Sequence, residues 1–265
     1  MRNYLVLFVL LFVSSCSYLK PIKGSSVVDS SFEACPNSIH VFYKGNASRF
    51  CNKIVPKVDD LVSMVERGHG KPFTGQVVIH ICDTEECFDS YTGYGTAIKA
   101  GVGRVGLFLS PKVFEKDDYL EFTAHELSHL HLFQQISQVH AYLIPQWFHE
   151  GLATYVSHGG GAGGVSVDEA TNYLMMGKCI VPIEKASILG QRWSINYKES
   201  SDYVFQQRMN YRQSALFVEF LDNEGKLQAL LREIESGNNF SDSFEYIYNE
   251  TIQSSWATFV SKIKS

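Results

Sequence analysis

The sequence predicts an α+β fold, strand-rich in its first half and mainly helical in its second. Three observations carry that expectation. Residues 39–43 and 76–82 (QVVIHIC) are β-branched and aromatic, the composition of strands. Residues 119–136 form a long apolar-rich stretch opened by Asp117 and Asp118, acids suited to the positive end of a helix dipole. From Tyr211 almost to the end the chain keeps a helical period, with Ala215, Leu216, Val218, Phe220 and Leu221 near its start.

The remaining elements follow in order. Val55, Val58, Leu61, Val62 and Val65 recur at helical spacing after Pro56, a residue suited to a first turn. Residues 101–110 (GVGRVGLFLS) read as a glycine-rich loop running into a strand that Pro111 ends. Pro145 opens another helix, and the glycine run at 159–164 stops it. That run lacks the Lys-Ser/Thr of a phosphate loop and follows a helix, so it reads as a flexible loop beside a cleft. With 45% hydrophobic and 19% charged residues, the 265-residue chain is globular and not disordered. Its 23 Lys+Arg against 28 Asp+Glu leave no basic excess to replace phosphate counterions, which argues against a nucleic-acid partner.

The first residues speak to compartment. Arg2 precedes an apolar run at 4–13 and then Val13-Ser14-Ser15-Cys16, the pattern of a secretory signal. The run is shorter than the ~20 residues needed to cross a bilayer. Its end resembles a bacterial lipobox, which implies that Cys16 is lipidated and becomes the mature N-terminus; ordinary cleavage that leaves Cys16 for a disulfide is the alternative. Ser17 then implies sorting to the outer membrane, facing the periplasm. The expected organisation is a signal peptide at 1–15, a lipidated tether at 16–33 and one domain at 34–265. In an oxidising periplasm Cys82 could pair with Cys87 and Cys35 with Cys51, leaving Cys179, although connectivity does not follow from sequence.

The chemistry centres on His125-Glu126-Leu127-Ser128-His129, an H-E-x-x-H inside the helix expected at 119–136. Spacing of four residues puts both imidazoles on one face, able to meet a single metal ion at ~2.0–2.1 Å. Glu126 beside the first ligand is placed to take a proton from a metal-activated water. The rival reading is a solvated helical face with unrelated histidines, but Ala124, Leu127, Leu130, Leu132 and Phe133 surround the pair. Two imidazoles and a carboxylate in such a stretch are costly without a partner. Leu132 and Gln135 stand where a metzincin needs Gly and His, which excludes that subclass.

Downstream, Trp147-Phe148-His149-Glu150-Gly151-Leu152-Ala153 resembles the W-x-x-E-G-x-A of gluzincins, the thermolysin and aminopeptidase N-like zinc peptidases. The resemblance covers about residues 77–259; it is specific at the two zinc motifs and loose elsewhere. It implies one zinc ion held by His125, His129 and Glu150, with His149 as a rival ligand rotated by about 100° on its helix. It also implies a two-lobed domain: an N-lobe (about 34–136) whose mixed sheet offers an edge strand to substrate, and a helical C-lobe (about 137–265). The edge strand is expected at 104–109. Tyr211, in Asn210-Tyr211-Arg212-Gln213-Ser214, matches the tyrosine that stabilises the oxyanion at the opening of a later helix, and Thr154 falls where it can support a ligand. Aminopeptidases of this group carry an amine-binding glutamate before the zinc helix. Here Gly101-Val102-Gly103-Arg104 stands instead, with no acid between Asp89 and Glu115, which favours endopeptidase cleavage. Gly103 and Arg104 would then contact substrate, Arg104 through a carboxylate, unless that arginine is simply solvated.

The expectation is thus a zinc-dependent peptidase of the bacterial envelope, acting on a peptide or protein and held to the membrane by its N-terminal lipid. Two other classes stay open: a zinc-stabilised binding or assembly lipoprotein without activity, and a hydrolase of a non-peptide amide such as a cell-wall cross-link. The presence of Glu126, which a purely structural site does not need, favours an enzyme.

Overall fold

The computed structural model describes residues 27–95, 98–103, 106–184 and 203–265; the signal stretch, Cys16 and Arg104 lie outside them. The strands are β1 (Glu33–Ala34), β2 (Val41–Tyr43), β3 (Ile79–Ile81), β4 (Ala100–Gly103) and β5 (Gly106–Leu109). They form one mixed sheet in the order β1-β2-β3-β5-β4, with β2, β3 and β5 parallel and β1 and β4 antiparallel at the two edges. The α+β class expected from the sequence is therefore present.

One expectation about the sheet is corrected. The stretch read as a loop leading into an edge strand contains two strands, and Gly106–Leu109 pairs on both sides, with β3 and with β4. The edge on this side of the sheet is β4, with β1 at the opposite edge. Gly103 stands opposite Gly106 where the two strands meet.

Helices α1 (Cys51–Ile54) and α2 (Val58–His69) connect β2 to β3, and α3 (Glu85–Thr92) connects β3 to β4. After β5 come α4 (Tyr119–Gln135), α5 (Gln138–Leu143), α6 (Gln146–Val156) and α7 (Val167–Met175). The chain ends in α8 (Tyr203–Asn223), α9 (Leu227–Glu235), α10 (Phe240–Tyr248) and α11 (Ile252–Lys264). Apolar periodicity in α2 buries Val58, Leu61 and Val65 against the core. In α4 every residue from 123 to 132 is buried, because the helix packs between α2 and α6 with β4 and β5 across it.

Packing of α6 on α8 is the most extensive helix contact among the described residues. A Cβ at Gly151 would sit 2.8 Å from the Ser214 carbonyl oxygen, so only glycine lets the two backbones approach this closely. The Cys35–Cys51 disulfide ties the start of the domain to α1, as expected, and a loop of this length contributes about 3 kcal/mol in the chain-entropy account. Cys82 and Cys87 differ from the expected pairing: both are thiols, hydrogen-bonded to each other, and Cys179 is a third.

Alternation in β3 and β5 splits the core. Ile79, Ile81, Leu107 and Leu109 face the main core, while His80 and Phe108 point to the other side with Phe32 and Phe88. His80 is fully buried, stacked on Phe108 at 4.5 Å, and its Nε2 accepts the Asp29 N–H at 3.2 Å. Burial pushes this imidazole down from 6.5 to about 4. Between those values the unfolded chain binds more protons than the folded one, so stability is complete above pH 6.5 and falls as pH drops toward 4. The span corresponds to about 3 kcal/mol at most. We expect His80→Phe to lose less stability than the wild type between pH 7 and 4.5, measured as urea unfolding free energies. Equal losses would contradict this account of His80.

Candidate metal centre

Three side chains from two helices converge. His125 and His129 lie one turn apart on α4, and Glu150 reaches them from α6. His125 Nε2 is 3.0 Å from His129 Nε2 and 3.1 Å from Glu150 Oε2, and His129 Nε2 is 3.4 Å from the same oxygen. Three corners of a tetrahedron drawn at 2.0–2.1 Å from its centre lie about 3.3 Å apart. The observed triangle matches that spacing, and two imidazole nitrogens so close cannot both present lone pairs without a proton or cation between them. The group therefore fits one metal ion, with one tetrahedral corner left over. All of it is nearly buried, His125 at 2% and His129 at 8% exposure.

Surrounding groups fix the candidate ligands. Thr154 Oγ1 lies 3.4 Å from His125 Nδ1; a proton on Nδ1 shared with Thr154 leaves Nε2 with its lone pair. Thr154 thus lies beside His125, a side chain it is expected to support. His129 is stacked flat against His149, centroids 4.3 Å apart, so His149 serves as the wall behind a ligand and is not one of the three converging groups. One residue of helical rotation separates the two outcomes for His149 and Glu150.

The two carboxyls differ. Burial pushes Glu126 up to about 8, with the charge of Glu150 adding to the rise and His125 opposing it. Burial also acts upward on Glu150, yet the imidazoles of His129 and His125 beside it hold it well below its ordinary value. Tyr211 joins the same group. Its ring lies parallel to His125 at 5.7 Å, its oxygen accepts from Gln207 Nε2 at 3.1 Å, and it hydrogen-bonds Glu150. Burial and the neighbouring Glu150 raise the phenol well above its usual value, which keeps it a neutral donor. Tyr211 lies in the body of α8, two turns after its first residue, and does not open the helix.

Two expected substrate contacts belong to the sheet side of the molecule. Gly103 ends β4 at the β4–β5 junction, and Arg104 lies outside the described residues. Other partners are not visible in the sequence. His69, from α2, bonds Ser128 Oγ at 2.8 Å inside the H-E-x-x-H turn, and its ring lies tilted against His131, centroids 4.2 Å apart. No spacing rule links residues 59 positions apart. Gln207 offers one weak signal, its place one turn before Tyr211 on the same helix.

No protein-family model matches the chain, and no curated protein matches it closely enough to count as a relative.

The geometry sets a direct expectation. The purified domain should bind one divalent metal ion per chain, and with zinc as the probe His129→Ala or Glu150→Ala should weaken binding at least ~100-fold in chelator competition. Unchanged affinity in either variant would show that the triangle is not the site.

Proposed function

We propose that this chain is a zinc-dependent peptidase of gluzincin type. The observation that carries the reading is the buried His125, His129 and Glu150 triangle with Glu126 and Tyr211 both at its side. A zinc ion held there supplies a Lewis acid that polarises a carbonyl and lowers the pKa of a water. Everything else is work for the chain's own residues. Glu126 takes a proton from the attacking water and passes it to the leaving amine nitrogen. Its raised affinity for protons in a buried setting suits a group that must hold one and then release it. The Tyr211 hydroxyl donates to the carbonyl oxygen as negative charge builds there. Thr154 and the stacked His149 keep the two imidazoles oriented.

The gluzincin reading extends to the architecture. A mixed sheet precedes the H-E-x-x-H helix in an N-terminal lobe, and the glutamate ligand stands on α6 in a helical C-terminal lobe, with short α5 between. A peptide lying along β4, the open sheet edge beside α4, would add a strand by main-chain hydrogen bonds. The absence of an acid between Asp89 and Glu115, the stretch that holds β4 and β5, favours internal cleavage over aminopeptidase action. The place of action we propose is the bacterial envelope, anchored by lipid on Cys16. The signal-like start supports this, and so does the Cys35–Cys51 disulfide, a bond that persists in oxidising compartments. No helix among the described residues is long and apolar enough to cross a membrane.

The test is a peptide-library digest with the soluble domain. Glu126→Gln should keep its zinc and lose at least ~100-fold in rate. Full activity in that variant would overturn the mechanism, and no cleavage by the zinc-loaded wild type would favour a binding role. Tyr211→Phe should lower kcat by ~100-fold with little change in KM, the pattern of a group acting in the transition state.

A further inference from the structure

We propose that the glycine turn after α6 is a positioning device for the metal centre, with Gly161 setting the place of the His125 imidazole and Arg212 locking the turn. The inference rests on the metal-centre reading above and concerns residues that hold no metal themselves.

The sequence suggests a flexible loop at 159–164; the structure packs it tightly. Gly161 has φ +79, and a Cβ there would stand 2.8 Å from His125 Cε1, 2.9 Å from His125 Nδ1 and 3.0 Å from a Tyr211 ring carbon. One residue earlier, a Cβ at Gly160 would lie 2.1 Å from the Glu121 carbonyl oxygen, so the turn rests directly on the backbone of α4. The His125 ring is thereby enclosed. Tyr211 and Phe122 stack beside it at 5.7 and 6.3 Å, Thr154 meets Nδ1, and Gly161 closes the Cε1–Nδ1 edge. The ring can turn about its Cβ–Cγ bond only by striking one of these, so Nε2 keeps one direction.

The turn is itself held at both ends. Gly159 N–H donates to the Thr154 carbonyl at 2.8 Å, which joins the turn to α6. Arg212 Nε donates to the Val165 carbonyl at 3.0 Å, and its terminal nitrogens lie so close to Gly159 that a Cβ there would be 2.6 Å away. Arg212 follows Tyr211 on α8. One guanidinium thus fixes the turn against the helix that also brings the tyrosine to His125. A lysine at this position could not span both contacts.

The experiment compares Gly161→Ala with Gly177→Ala. Gly177 has φ +75, and a methyl added there would meet nothing within 4 Å, so it carries the same backbone strain with no contact to His125. Zinc dissociation constants come from chelator competition, and the visible spectrum of the cobalt-loaded protein reports ligand geometry. We expect Gly161→Ala to bind zinc at least ~10-fold more weakly with an altered cobalt spectrum, and Gly177→Ala to match the wild type within ~2-fold. Gly161→Ala with wild-type affinity and spectrum, or equal losses in both variants, would overturn the inference. If Gly161→Ala does not fold, Arg212→Ala decides: weaker zinc binding with the same spectral change supports the inference, and wild-type behaviour defeats it. A wild type that takes up no zinc would instead defeat the metal-centre reading, and this inference with it.

Discussion

The constraint on which the structure depends is the burial of a polar helix segment. Residues 123–132 of α4 are buried without a break, yet they include three histidines, a glutamate, a serine and a threonine. Each such group costs free energy unless it finds a partner, so the neighbours of α4 are set by what they must supply. Thr123 is satisfied within the helix by the Tyr119 carbonyl at 2.7 Å. Ser128 and His131 are met from the α2 side, by His69 at 2.8 Å and the Lys71 carbonyl at 3.0 Å. His125 and His129 are met by Glu150 from α6. The apolar positions Ala124, Leu127, Leu130 and Leu132 fill the space between these contacts. Helix packing and site assembly are therefore one problem here.

Two adjacent residues on α6 divide the next task. Glu150 faces α4, while Gly151, about 100° further round, faces α8 and lets its backbone come close. That approach is what carries Tyr211, just one turn before Ser214, over the His125 ring. A side chain at Gly151 would push α8 outward, and the first casualty would be the tyrosine and not the triangle. The pairing of glutamate and glycine in the W-x-x-E-G-x-A stretch thus has a separate physical reason for each residue.

What is legible in the sequence is whatever a helix determines locally. His125 and His129 are related by one turn, and Glu150 is separated from its rival His149 by one step of rotation; both relations hold in the structure. Strand order is harder. The run 101–110 holds two antiparallel strands that meet at Gly103 and Gly106, and its glycines and β-branched residues suit one strand as well as two. Hence a reading of the run as one strand puts the sheet edge in its wrong half. The His69–Ser128 bond and the Gly161 contact are invisible for another reason. Both depend on how whole helices and turns pack, and a glycine read alone signals freedom when in this turn it marks crowding. The start of α8 is harder to read because residues 203–210 place Tyr203, Val204 and Phe205 side by side ahead of four polar residues and Met209, and the regular helical stripe shows only from Tyr211 onward.

The two carboxyls show how placement alone separates roles. Glu126 follows His125 in the chain, and helical rotation turns it away from the face on which His125 and His129 meet. Burial then dominates its environment and favours the neutral acid. Glu150 is buried as well, but it approaches from a different helix and lies within 3.4 Å of both imidazoles, so the charged form wins. In the function we propose, one carboxylate is thereby committed to a cation and the other is left free to exchange a proton. The assignment cannot be reversed by exchanging their names. A residue next to His125 on α4 cannot share an apex with both histidines of that helix, and a residue on α6 that does so is no longer free to move a proton.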